Sequence, residues 1–149
     1  MKKVILLIVL LLVLTAWFTF RFLSQRQYAV EATGLSWQYC HHTQLDLCPE
    51  PELFNWMEAL RYCDALSWGG DHNWRLPHRA ELLSIVDWME RTPATVNKLA
   101  ADTKDNIYWS ASSESGSPEK AYYTSFFSGY SYANSKRVEA YVRCVRDIK

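Results

Sequence analysis

Four cysteines, Cys40, Cys48, Cys63 and Cys144, set the tightest limit on what this chain of 149 residues can fold into. Their number is even and no two of them form a Cys-x-x-Cys pair. In a short domain that pattern reads as two disulfides made in an oxidising compartment such as the periplasm or cell surface. The competing use of part of the set is zinc, because Cys40, His41, His42 and Cys48 are ligand types that suit it. Adjacent histidines make awkward co-ligands and an oxidising compartment favours the bridge, so no metal is expected.

The second constraint lies at the N-terminus. Lys2 and Lys3 precede an unbroken apolar run from Val4 to Leu14, which continues through Ala16, Trp17, Phe18 and Phe20 as far as Arg21. As a helix the run covers roughly 25 Å, short of a ~30 Å hydrocarbon core unless Phe22 and Leu23 join it and Arg21 snorkels. The expected organisation is therefore a signal anchor or transmembrane helix over 1–24, a short stalk over 25–32 and one domain over 33–149. A cleaved signal peptide is the rival, but a cut after Ala16 has Leu14 in the outer small-residue place and one after Ser24 has Phe22. If it is cut, the domain is free at the cell surface or secreted. A type IV pilin would need an early Gly cleavage site and Glu, and both are missing. Lys2 and Lys3 face Arg21 and Arg26 across the segment, so charge does not orient it. The cysteines do: the domain is expected outside a bacterial inner membrane that the chain crosses once.

Lys plus Arg and Asp plus Glu number 16 each, which leaves no basic footprint for a nucleic-acid backbone. Aromatic residues reach 15%, so rings must supply much of the core or of a binding surface.

Along the domain, Leu35, Trp37 and Tyr39 alternate as a first strand after Gly34. Asn55 with Glu58 forms a capping box, and the stripe Trp56, Ala59, Leu60, Cys63, Leu66 predicts a helix ended by Gly69 and Gly70. After Trp74, Arg75, Leu76 and Pro77, His78 takes a cap position with Glu81 bonding back, and Leu82, Ile85, Val86 and Met89 make a second buried stripe. Strands are expected around Tyr108 to Ala111, over Ala121 to Ser128 with a turn at Gly129, and over Val138 to Val145. Two helices bracketed by strands give an α+β domain with an antiparallel sheet.

Several of these segments in combination resemble the C-terminal domain family of the bacterial collagen-like adhesin Lcl. They are Gly34 to Gln38; Trp56 with Ala59, Tyr62 and Cys63; Trp74, Arg75, Leu76, Pro77 with Glu81 and Leu82; Tyr108, Trp109, Ser110; and Tyr141 to Arg146. The likeness runs from Thr33 to Arg146. It implies a C-type-lectin-like fold, distantly similar to formylglycine-generating sulfatase-modifying domains. It also implies the pairings Cys63 to Cys144 and Cys40 to Cys48, because that fold ties its first helix to its last strand. The chain departs from the family pattern at Asn73, where Asp is usual, at His78, where Thr or a similar cap is usual, and in having no Gly-X-Y tract.

The structural motif is expected to be Trp74, Arg75, Leu76, Pro77, Glu81 and Trp109, with Arg75 bonding backbone carbonyls and Trp37, Trp56, Trp74 and Trp109 in the core. Trp68 and Trp88 stand among polar residues and are expected at the surface. Together with Tyr130, Tyr132 and Asn134 of the turn after Gly129 they are the candidate ligand-binding residues, since Tyr beside Ser and Asn offers flat apolar area plus hydrogen bonds. The segment Ser112 to Lys120 is a second candidate loop. Calcium oxygens from Asp71, Asp87, Asp102 and Asp105 are conceivable, but the Glu-Pro-Asn and Trp-Asn-Asp signatures of calcium lectins are absent. No Ser, His and acid set stands in a catalytic motif, so no enzyme and no cofactor is expected. The leading expectation is a membrane-anchored recognition module for a polysaccharide or an envelope protein. The alternatives are a structural or assembly component of an envelope complex and an enzyme related to the formylglycine-generating group. Co-purification with a partner would favour the first alternative, and a free reactive thiol the second.

Overall fold

The computed structural model describes residues 8–15, the backbone of 27–30, and residues 33–39, 52–90, 93–96, 99 and 102–148. Residues 8–15 are helical. No helix among the described residues is long and apolar enough to cross a membrane, and the rest of the expected 1–24 anchor lies outside them. Cys40, His41, His42 and Cys48 also lie outside them.

The domain is α+β, with its described strands in two antiparallel three-stranded sheets rather than one. In the first, β1 (Gln27–Val30) and β2 (Leu35–Gln38) form a hairpin, and β2 also pairs with the terminal strand β6 (Val145–Asp147). Gly34 turns that hairpin at φ 66°, a conformation that costs glycine nothing. Part of the segment expected as a stalk is thus a sheet strand. The second sheet runs β3 (Ile107–Glu114), β4 (Ser117–Ser125), β5 (Ser131–Ser135) in chain order.

Helix α1 (Trp56–Ala65) starts as the sequence requires: Asn55 Oδ1 accepts from the Met57 and Glu58 N–H groups, and Glu58 Oε2 accepts from Asn55 N–H at 3.0 Å. It stops sooner than expected. Gly69 and Gly70, both at positive φ, instead make the two-residue turn that pairs Trp68 with Asp71, as a type I′ turn requires. Helix α2 (Arg79–Ser84) opens with Glu81 Oε2 accepting from His78 N–H at 2.7 Å. It also ends early, so only Leu82, Ile85 and Val86 of its stripe are buried, while Met89, past the helix, is 92% exposed.

Successive residues of β3 point to opposite faces of its sheet, and each face carries a core. Tyr108 joins Leu82, Ile85 and Phe126 beneath α2, with Trp37 and Val145 of the first sheet. Trp109 joins Ala59, Cys63, Trp74 and Cys144 beneath α1. The expected last strand is mostly two single bridges, Ala140 to Phe54 and Tyr141 to Tyr108, before the short β6. The Cys63–Cys144 disulfide closes the second core from α1 to the residue before β6, with Cα atoms 5.5 Å apart. The bridge is of the kind made and kept in oxidising compartments, which points to a position outside the cytoplasm.

Candidate functional site

The hairpin from β4 to β5 brings an aromatic surface together. Gly129 holds φ 77° in the turn before β5, and a Cβ on it would lie 2.9 Å from a ring carbon of Trp88. Glycine there lets the indole rest against the backbone. Trp88 meets Tyr130 edge to face with centroids 5.2 Å apart, and Tyr130 lies 6.4 Å from Tyr132. All three rings remain half in solvent, at 56%, 57% and 50% exposure. From Tyr132 the contacts run inward to Tyr123 at 6.0 Å and on to the buried Trp109 at 6.1 Å. Met89 and Phe127, from the same two turns, are exposed apolar neighbours in sequence.

Three of the five candidate ligand residues therefore form one platform. Asn134 is on the same strand two residues beyond Tyr132, half-buried, with its Oδ1 accepting from Ser135 N–H at 2.8 Å. Trp68 does not belong to it: locked in the Gly69-Gly70 turn, its ring is buried in the second core. Polar sequence neighbours gave the wrong expectation, since the turn directs their side chains outward and the indole inward. The supposed loop at 112–120 is not a loop either, because β3 and β4 take up all of it except a tight turn at Ser115 and Gly116.

Most of the motif around Trp74 packs inside the domain. Trp74, Leu76, Pro77 and Trp109 are buried, while Trp56 is half-buried. Arg75 bonds carboxylates rather than carbonyls: both its terminal nitrogens donate to Glu81 at 2.7 Å, and one also reaches Asp147 at 3.1 Å. Those bonds raise the Arg75 pKa above its ordinary value. Burial pushes the Glu81 carboxyl up, but Arg75 and the His78 N–H together outweigh it and hold the pKa below the ordinary value. The positive φ of Asn73, 68°, is one that Asn tolerates.

A buried cation had no assigned role in the sequence. Arg143 is 4% exposed and donates to Asp102 at 2.8 Å, Thr103 Oγ1 at 2.8 Å and the Gln38 carbonyl at 2.9 Å, tying β2 to the chain before β3. Burial works against its charge, and Asp102 together with Tyr108 outweighs it and raises the pKa above the ordinary value. Its only advance signal was its place between Tyr141 and Cys144 in the recognised motif.

Asp71 pairs with Arg146 and Asp102 with Arg143, while Asp87 accepts from Met89 N–H, so three of the four proposed calcium ligands serve other partners. Among the described residues no three His, Cys, Asp or Glu side chains lie together as metal ligands. An open cleft of about 490 Å³ lies elsewhere, between Asn55, Trp56, Met57, Lys136 and Arg137, where the Lys136 ammonium sits 4.0 Å above the Trp56 ring.

The model of the Lcl C-terminal domain matches residues 30–146. The chain belongs to the Lcl C-terminal domain family. That match begins at the last residue of β1 and ends within β6, so it takes in α1, α2, the strands from β2 to β5 and the Cys63–Cys144 bridge. Among curated proteins none matches the chain. Within the Lcl C-terminal domain as it stands here, the motif residues build the frame and the exposed rings lie on its edge.

Proposed function

We propose that this chain is an extracytoplasmic recognition module that binds a polysaccharide or an envelope protein on the Trp88, Tyr130 and Tyr132 platform, and that it does not catalyse. The observation that carries the reading is the glycine-backed ring cluster standing half in solvent. A domain with ample apolar core elsewhere has no packing reason to leave three adjoining rings exposed, whereas adjoining rings that carry an indole N–H and two phenol hydroxyls suit sugar faces and protein surfaces. The scaffold is read as C-type-lectin-like, supported by the two ends of the domain meeting in one sheet and by a bridge from α1 to the residue before the last strand. The apolar N-terminal run supports single-pass anchoring in a bacterial inner membrane with the domain in the periplasm.

The test is a binding screen of the full chain, in detergent, against glycans and envelope proteins, repeated with Trp88→Ala and Tyr130→Ala. Truncating a central ring is expected to cost about 2 kcal/mol, roughly thirtyfold in Kd, with the melting temperature little changed. Absence of binding to either class, or full binding by both variants, would refute the assignment.

A further inference from the structure

We propose that two copies of this chain pair antiparallel along β5, with the two-fold axis at Tyr132. Among the described residues β5 is the outer strand of its sheet, with β4 as its strand neighbour. Two flanking bonds fix which of its backbone groups face β4: Ser125 N–H donates to the Tyr130 carbonyl, and Lys136 N–H to the Glu119 carbonyl, each at 2.9 Å. In an antiparallel ladder every second residue turns both groups to the same neighbour, so Tyr130, Tyr132 and Asn134 face β4 while Ser131, Ala133 and Ser135 face away. Ser135 is satisfied locally, its N–H by Asn134 Oδ1 and its carbonyl by Val138 N–H. Among the described residues nothing bonds the backbone groups of Ser131 and Ala133. They form an open set of donor and acceptor, twice over.

Edge strands are ordinarily guarded by charge or proline. Residues 128–135, Ser-Gly-Tyr-Ser-Tyr-Ala-Asn-Ser, have neither. Arg79 touches the strand through Nε, which donates to Ser131 Oγ at 3.1 Å, but its guanidinium is drawn back over the Tyr122 ring of β4, 4.2 Å from the centroid.

One register satisfies all the open groups. Ser131 stands opposite Ala133 of the second copy and exchanges both bonds with it, and the two-fold axis repeats this on the other side. Tyr132 then faces Tyr132 of the second copy at the non-hydrogen-bonded position, where Cα atoms are about 4.5 Å apart and aromatic pairs stabilise a sheet. Such a contact is isologous and closes at two subunits. A foreign extended strand would also fill the edge. The copy is favoured because it brings no charge to an uncharged strand and presents, from the same two residues, the matching donors and acceptors. The two platforms then merge into one row of six rings, long enough to hold a linear chain at both ends. The pairing does not depend on what the platform binds.

Cross-linking of the full chain in its own membranes tests it. With Tyr132→Cys and mild oxidation by copper phenanthroline, a covalent dimer should be the main species on a non-reducing gel, because that Cα separation lies within disulfide range. Glu139→Cys, exposed and off the strand, should give at least about tenfold less. Adding Ala133→Pro, which removes an outward N–H, or Ala133→Lys, which charges the edge, should cut the Tyr132→Cys dimer at least about fivefold. If the proline variant melts early, the lysine variant decides. No dimer, equal yield at residue 139, or a dimer that survives the folded Ala133 variants overturns the pairing. The wild-type binding screen is read separately: ligand binding without cross-linking sinks the pairing alone, and cross-linking without ligand binding sinks the recognition reading alone.

Discussion

Replacing Cys63 and Cys144 together by Ala removes the one described cross-link while leaving Cys40 and Cys48 as they are. The bridge spans 81 residues, and at that length the chain-entropy relation assigns it about 4.5 kcal/mol, through freedom returned to the unfolded chain. Both residues are fully buried among Ala59, Trp74 and Trp109, so the lost sulfur contacts add to that cost. A domain of this size has a net stability of about 5–15 kcal/mol, so the variant should sit near the edge of folding. Urea denaturation followed by Trp fluorescence reads the effect directly: with a slope of about 1.5 kcal/mol per molar, the midpoint should fall by roughly 3 M. An unchanged midpoint, with the bridge verified in the wild type by non-reduced peptide mapping, would show that the fold does not rest on it.

Two further perturbations test smaller devices. Because the folded-state pKa of Glu81 is depressed, its contribution is fully present above the unfolded value of about 4.3 and is lost as pH falls through the folded value. Glu81→Gln should therefore melt below wild type at pH 7, with the gap narrowing as the pH is lowered through the acid range; a gap that stays constant down to the acid limit of folding would contradict the Arg75 pairing. Gly129→Ala puts a side chain at φ 77° and 2.9 Å from the Trp88 ring, and should cost about 1–2 kcal/mol, a melting point lower by several degrees. It should also weaken ligand binding as Trp88→Ala does, and unchanged melting and affinity would mean the glycine does not seat the ring.

What could be read from the sequence was what short-range rules govern. Asn55 with Glu58 and His78 with Glu81 mark helix starts because a cap is satisfied within three residues. The helix ends were not readable. Gly69 and Gly70 could serve as a helix terminus or as a hairpin turn, and only the pairing of Trp68 with Asp71 decides. Met89 followed a stripe that the chain abandons after Ser84. The platform was half visible: Tyr130 and Tyr132 stand out beside Gly129, and Trp88 among its polar neighbours. Their union was hidden, since it depends on the turn after β4 meeting the turn after α2, a tertiary fact with no local signature.

The position of the platform bears on how it would bind. Its outer rings are not loose side chains on a flexible turn; each leans on the next, from Trp88 through Tyr130, Tyr132 and Tyr123 to Trp109 in the bridged core. Fixing a free side chain on binding costs about 0.5–1.5 kcal/mol, so three rings already held by their neighbours save a large part of about 1.5–4.5 kcal/mol. The saving depends on the inner end staying rigid. Loosening the core should therefore reach the surface: under conditions where the Cys63→Ala, Cys144→Ala variant is still folded, its ligand should leave faster than it leaves wild type, although neither cysteine is part of the platform. Dissociation rates equal within error would show instead that the Gly129 seat alone orders the rings.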